Sequence, residues 1–276
     1  MEVIGGQIFV IGDDSAWLFI LNRECELIRK IRLYEPASEA SARIPKPLKA
    51  DLEALAAFPY RGGTQLLAIG SGSAQYRDTG FRIETEGAFR VYPYDLSGLY
   101  GLFRRHPQIV GSRKLNLEGL AVSEDTIFFM QRGNVSGMNA LVSLALPEFF
   151  NCLESGTPPT IAVKNYQLPD IQGLLAGFSG LAVLDSQRLL FTATVENTAD
   201  EIADGESLGS FAGVIDLQKP AGRLDFAPII AADQLYGGKV ESIAVLEMLS
   251  ENSLRAVAVT DSDGGVSELL VLEMEW

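Results

Sequence analysis

Three glutamates head the same short pattern in this chain. Glu53-Ala54-Leu55-Ala56-Ala57, Glu118-Gly119-Leu120-Ala121-Val122 and Glu241-Ser242-Ile243-Ala244-Val245 each open on a carboxylate, pass through a small residue and end apolar. Ser179-Gly180-Leu181-Ala182-Val183 repeats the pattern with a hydroxyl in first place. Brought together by a fold, such oxygens form a hard-ligand set for a cation, Ca²⁺ above all, or an acid and base for hydrolysis. Glu53, Glu118 and Glu241 are therefore the candidate metal ligands. Glu118 doubles as candidate general base, and Arg132 as the group that steadies a developing anion. The same glutamates would serve equally well as caps on the backbone N–H groups of neighbouring elements. Three carboxylates around one opening repel one another, so a cation or an ion-pair partner such as Lys49 or Arg132 must offset them.

The pattern returns at roughly sixty-residue intervals, which is the mark of a repeat architecture. After each head comes a second apolar run ending in polar turn residues: 66–69, 127–130, 189–194 and 256–259. The N-terminal run Ile8-Phe9-Val10-Ile11 into Gly12-Asp13-Asp14-Ser15 is a fifth copy of this half-unit. Laying Ile8 on Ile127 puts Met1 on Leu120. Third runs are read at 17–21, 89–92, 140–144, 211–217 and 269–272, and fourth runs at 27–33, 108–115, 160–168 and 226–230. Short β-branched and aromatic runs broken by Gly, Pro, Asn and Asp are strand signals. Four strands per repeat and five repeats predict an all-β, five-bladed β-propeller of four-stranded antiparallel blades, with six blades the alternative, as a single domain over 1–276. Small residues suit the innermost strands, which crowd around the axis. The last repeat shows three strands and the first begins within its inner strand, so a closing N-terminal segment is expected upstream of Met1.

Propeller topology sends the start of the first strand and the end of the second to one face. Glu53, Glu118, Ser179 and Glu241 should therefore ring one mouth of the central channel. Around them should stand the candidate binding residues Asp13, Asp14, Ser71, Ser73, Arg77, Asn134, Asn139, Glu196, Asp204, Glu206 and Asp261. The acidic segment 196–207 is the longest of these loops but does not follow the ligand order of an EF-hand. His106 is the only histidine, which argues against a Ser-His-Asp triad and a multi-histidine zinc site.

Bulk properties narrow the partners. A net charge of −14 and a pI near 4.5 argue against nucleic acid, since phosphate binding needs a basic patch. Arg104-Arg105 and Arg113-Lys114 are the densest basic clusters and read as solvated edges. Cys25 and Cys152 are too few for a disulfide scaffold and sit in no metal-ligand spacing. No apolar run approaches the ~20 residues of a membrane span, and the N-terminus lacks the basic and cleavage regions of a signal peptide. Cytoplasmic residence is expected, or export if a segment precedes Met1. The partner at the mouth is expected to be a small molecule or a protein.

The segments Gly12-Asp13-Asp14-Ser15, 67–73, Asn116-Leu117-Glu118-Gly119, Gln131-Arg132-Gly133-Asn134 with Asn139-Ala140-Leu141, and Ala203-Asp204-Gly205-Glu206 resemble those of an uncharacterised bacterial β-propeller family. That family is similar in outline to the phytase-like and esterase-like propellers. The resemblance implies a propeller over nearly the whole chain and, through the phytase-like relatives, calcium and phosphoester hydrolysis. The basic residues available to hold a phosphate are Lys46, Lys49, Arg77 and Arg132. Two readings stand: a calcium-dependent hydrolase of a small phosphoester, ester or lactone, and a non-catalytic binding propeller using the same mouth.

Overall fold

The computed structural model describes residues 1–35, 43–199, 205–222, 224–262 and 266–276. Among the described residues five antiparallel blade sheets follow one another along the chain, with a two-stranded hairpin, Ile230–Ala231 and Gln234–Leu235, between the fourth and the fifth. Blade 1 contains Glu2–Ile4, Gln7–Val10, Trp17–Leu21 and Leu27–Arg32, and blade 2 contains Leu52–Tyr60, Gly63–Gly70, Thr79–Glu84 and Val91–Asp95. Blade 3 is built from Leu117–Ser123, Thr126–Gln131, Asn139–Ala145 and Ala162–Tyr166. Blade 4 comprises Leu174–Val183, Arg188–Asn197, Glu206–Asp216 and Asp225–Pro228, with Asp170–Ile171 paired to the foot of its first strand. Blade 5 has three described strands, Lys239–Ser250, Ser253–Asp261 and Leu269–Glu275.

The first strands of the five blades pack side by side in a closed ring, blade 1 lying between blades 5 and 2. Full closure is one way an all-β fold removes its edges from solvent. Blade 1 joins the ring on both sides. Glu2 accepts a hydrogen bond from the Ala57 N–H at 2.9 Å, and Met1 and Ile8 pack with Ala244 and Val257 of blade 5. The register matches the sequence alignment, for Val3 pairs with Ile8 as Val122 pairs with Ile127.

Crowding at the axis explains the small residues. A Cβ on Gly119 would lie 2.7 Å from Cβ of Leu181, and one on Gly180 would lie 2.9 Å from Cα of Ser242. Each of these inner strands thus packs its glycine against the next blade, at a separation no larger residue would allow.

Two expectations about outer strands need correction. The third strand of blade 2 is Thr79–Glu84, and the run read as third at 89–92 leads into the fourth strand, Val91–Asp95. The stretch 108–115 is no strand: helices Ser97–Arg104 and Pro107–Val110 fill the wedge between blades 2 and 3. The reason is shape. The wedge is wide at its rim, and Leu99, Tyr100, Phe103 and Ile109 fill it against Phe58 and Phe129. Phe103 meets Phe129 edge-on at 5.3 Å, an arrangement that adds about 0.5–1.5 kcal/mol beyond simple burial. Helix Leu146–Ser155 brings Phe149 and Phe150 to the same cluster. Arg104 is not a solvated edge residue, since it is ion-paired with buried Asp78 and donates to the Gly72 carbonyl. Cys25 is exposed, Cys152 is buried, and both are free thiols. Among the described residues no helix is long and apolar enough to cross a membrane.

Candidate functional site

The repeat heads occupy one unusual backbone position. Pairing skips Glu53 between Leu52 and Ala54, Glu118 between Leu117 and Gly119, Ser179 between Phe178 and Gly180, and Glu241 between Val240 and Ser242. Each is the extra residue of a β-bulge. A bulge frees a residue from the ladder and re-aims its side chain, which is why bulges gather beside functional sites. Four blades therefore turn a polar side chain out of register at the same level of the inner strand.

Two charge networks are built on these bulges. In the first, Asp51 lies two residues before Glu53 and holds a left-handed backbone conformation, φ 56°. Its carboxylate takes Lys49 at 2.8 Å on one oxygen and Arg77 at 2.7 Å on the other. Lys49 also pairs with Asp13, and Ser71 and Ser73 both donate to Asp51. Oxygens of Asp13, Asp51 and Glu53 all lie within 4.8 Å of one another. In the second network, Glu118 accepts from Asn116 at 2.6 Å and lies 3.6 Å from the guanidinium of Arg132. Arg132 closes on Glu196 of blade 4, and Lys239 bridges Glu196 at 3.2 Å and Glu241 at 2.7 Å. Ser179 keeps to its own surroundings, donating to the Val240 carbonyl at 2.6 Å.

The electrostatics follow from burial. Burial pushes the Glu53 carboxyl well above the usual range, and the charges of Glu118, Asp51, Asp13 and Glu241 push it the same way. Burial also raises Glu118, against the pull of Arg132 and Lys239, and raises Glu241 to about 8 in spite of Lys239. For Lys239 burial disfavours the charge, but Glu241 and Glu196 outweigh it and its pKa rises. Among the described residues Glu53 makes no hydrogen bond and no ion pair. Among the described residues these two networks join the carboxylates Asp13, Asp51, Glu118, Glu196 and Glu241 through the cations Lys49, Arg77, Arg132 and Lys239, with Glu53 beside Asp13 and Asp51.

Other residues singled out in the sequence take several places. Asn134 is buried, and among the described residues neither its amide nitrogen nor its oxygen has a hydrogen-bond partner. Asn139 is spent on backbone, accepting from Gly133 and Phe178 and donating to Ala176. Asp14 pairs with Arg43. Glu206 and Asp261 line a pocket of about 320 Å³ with Tyr236 and with Lys239 of the second network. Asp204 lies outside the described residues. The repeat heads do not point to Asp51 or Lys239, although both stand two residues before a head, in register with Asn116. That shared offset is the signal by which the chain marks them.

Residues 1–274 match the model of a family described as "Family of unknown function (DUF6929)", and the chain belongs to that family. No curated protein matches the sequence. Among solved structures the chain is similar to an alpha-L-arabinanase of Cellvibrio cellulosa complexed with arabinohexaose, at 10% identity and a TM-score of 0.48, over 99% of this chain and 92% of that one. It is also similar to the computationally designed Ika4 protein, at 11% identity and a TM-score of 0.28, over 88% of this chain and 98% of that one. At such values neither likeness bears on what this chain does.

Proposed function

We propose that this member of the family binds a divalent cation, calcium by the hardness of its ligands, at the channel mouth and hydrolyses a small phosphoester, ester or lactone there. One observation carries the reading: Glu53 stands beside Asp13 and Asp51, raised in pKa, with no counter-charge of its own. A carboxylate so placed is stabilised by a proton or by a metal ion, and carboxylate oxygens are the ligands calcium prefers. The donor set fits. Asp51 gives one oxygen to Lys49 and the other to Arg77, but each carboxylate oxygen has a second lone pair.

The ion, when bound, would polarise a phosphoryl or carbonyl oxygen. The chain's own residues would do the rest. Glu118, which burial pushes up against the pull of Arg132 and Lys239, would take a proton from the attacking water as general base. Arg132, fixed by Glu118 and Glu196, would stabilise the developing anion. The Asn134 carboxamide, buried without hydrogen-bond partners among the described residues, would hold the substrate by one donor and one acceptor.

A second reading is favoured by Lys49, whose ammonium already neutralises part of the Asp13 and Asp51 charge. In that case the mouth is a binding site without catalysis, and Glu53 carries a proton. Thermal unfolding of metal-stripped protein with and without millimolar Ca²⁺ separates the two, because a ligand selective for the folded state raises the midpoint. A rise in the parent that is lost in Glu53→Gln supports the metal site, and phosphoester, ester and lactone panels then test turnover. No response in the parent refutes the metal-dependent reading.

A further inference from the structure

The pocket of about 320 Å³ beside Lys239 lies on the seam of blades 4 and 5. Blade 4 supplies Glu206 and Ser207 from the start of its third strand, and blade 5 supplies Lys239 from the start of its first strand and Asp261 from the end of its second. Tyr236, in the connection between the two blades, forms an aromatic wall. Its ring lies against the backbone of Gly238, where a Cβ would come within 2.5 Å of it. Its hydroxyl donates to Glu268, another residue of the lining, at 2.6 Å. The ring is thus fixed from below by a glycine and at its tip by a carboxylate.

The charge of the pocket is acidic and lacks a counter-ion of its own. Lys239 is the one cation among the described residues that line it, and its ammonium is committed to Glu196 and Glu241. Among the described residues Glu206 meets no cation, and the Glu268 carboxylate meets only the tyrosine hydroxyl. Ser207 adds a second signal, for among the described residues its oxygen is buried without a hydrogen-bond partner. A buried acceptor left unpaired is costly, and a donor from a ligand would satisfy it.

These features select the class of ligand. Anions are repelled. A bare metal ion gains nothing from a tyrosine face, and the acids of this pocket do not converge on one point as Asp13, Asp51 and Glu53 do. The volume lies at the lower end of small-molecule pockets, about 300–1,000 Å³. We propose that the pocket binds a small primary amine with a short apolar chain. The ammonium would donate to Glu206, Glu268 and the Ser207 oxygen, using N–H groups that a primary amine has and a quaternary one lacks. The face of Tyr236 would attract the same charge, and the net charge of −14 would draw cations toward it. The proposal does not depend on any metal or activity at the channel mouth.

Titration calorimetry with pentylamine, run in a chelator so that no metal takes part, tests it. Saturable one-site binding is expected. Pentan-1-ol, which lacks the charge, should bind about tenfold more weakly, as the loss of charge-assisted hydrogen bonds implies. Pentyltrimethylammonium, which keeps the charge without the donors, should bind severalfold more weakly. Glu206→Gln and Glu268→Gln alter exposed side chains, so each should weaken binding severalfold with an unchanged unfolding midpoint. Glu24→Gln, an exposed acid in the turn before the outer strand of blade 1, should leave it unaltered. Absence of saturable binding at millimolar pentylamine, equal binding of either analogue, or an equal loss in Glu24→Gln overturns the proposal. So does displacement of the amine by equimolar Ca²⁺ once the chelator is removed, which would make a metal ion the occupant.

Discussion

Arg132 of blade 3 closes on Glu196 of blade 4, sixty-four positions along the chain, with both side chains less than 5% exposed. The pair spans the seam between two blades at the level of the bulges. It also leaves Arg132 within reach of Glu118 on its own blade, so one guanidinium fixes two carboxylates. Lys239 continues the chain of charges into blade 5. Half of the mouth is thus a single electrostatic unit whose members come from three blades.

Removing its centre should be costly. Arg132→Met leaves buried Glu118 without its cation and Glu196 with Lys239 alone, and breaking a buried pair in this way costs about 3–5 kcal/mol. Urea denaturation measures it. Adding Glu118→Gln should recover part of the loss, since it deletes the stranded charge; a double variant no more stable than the single would show that the pair is not the origin of the effect.

The pH dependence should follow Glu241. Its folded pKa is raised to about 8, above the unfolded range near ~4.3. Between these values the folded state holds the proton and the unfolded state releases it, so the folded state binds more protons and stability falls as pH rises. The contribution is fully present below the unfolded pKa and is lost as pH climbs through about 8. Comparing parent and Glu241→Gln by denaturation at several pH values isolates it, because the neutral amide cannot titrate. Parallel curves for the two proteins would refute the assignment.

Glu53→Gln should stabilise the cation-free protein under mildly alkaline conditions. The amide removes a carboxyl that burial and the charges of Glu118, Asp51 and Asp13 disfavour. A gain of about 1 kcal/mol corresponds to roughly 2–4 °C in a chain of this size. Calorimetry in a chelator reads the midpoint directly, and a lower midpoint for the variant would mean that Glu53 has a stabilising partner after all.

Gly177→Ala should loosen the same unit from below. A Cβ there would stand 2.7 Å from Cγ of Arg132 and 2.8 Å from Cβ of Asn134, and 3.0 Å from the Asn134 backbone nitrogen. Overpacking of this kind costs about 1–3 kcal/mol. Chemical denaturation checks the size, and a smaller loss in an Arg132→Ala background, which removes Cγ, would identify the arginine as the obstructed group.

Much of the architecture is legible in the order of the residues. The five half-units, the glycine-rich inner strands and the register that lays Ile8 on Ile127 rest on side-chain size and period, and a propeller repeats these in every blade. The outer parts of blade 2 are harder to read because 79–84 and 108–115 carry weak local signals. There the aromatic wedge around Phe103 and Phe129, formed only when two blades meet, selects helix over strand.

That Glu53, Glu118, Ser179 and Glu241 hold equivalent places on inner strands follows from the chain alone, since a repeat is a local property of the residue order. Which of them is paired does not. Glu118 and Glu241 have cations and Glu53 has none because Arg132, Glu196 and Lys239 converge from three blades, while Lys49 and Arg77 are taken by Asp51. Ring closure decides such meetings. Charges sixty residues apart feel each other only once the fold has brought them within a few ångströms and removed the water between them.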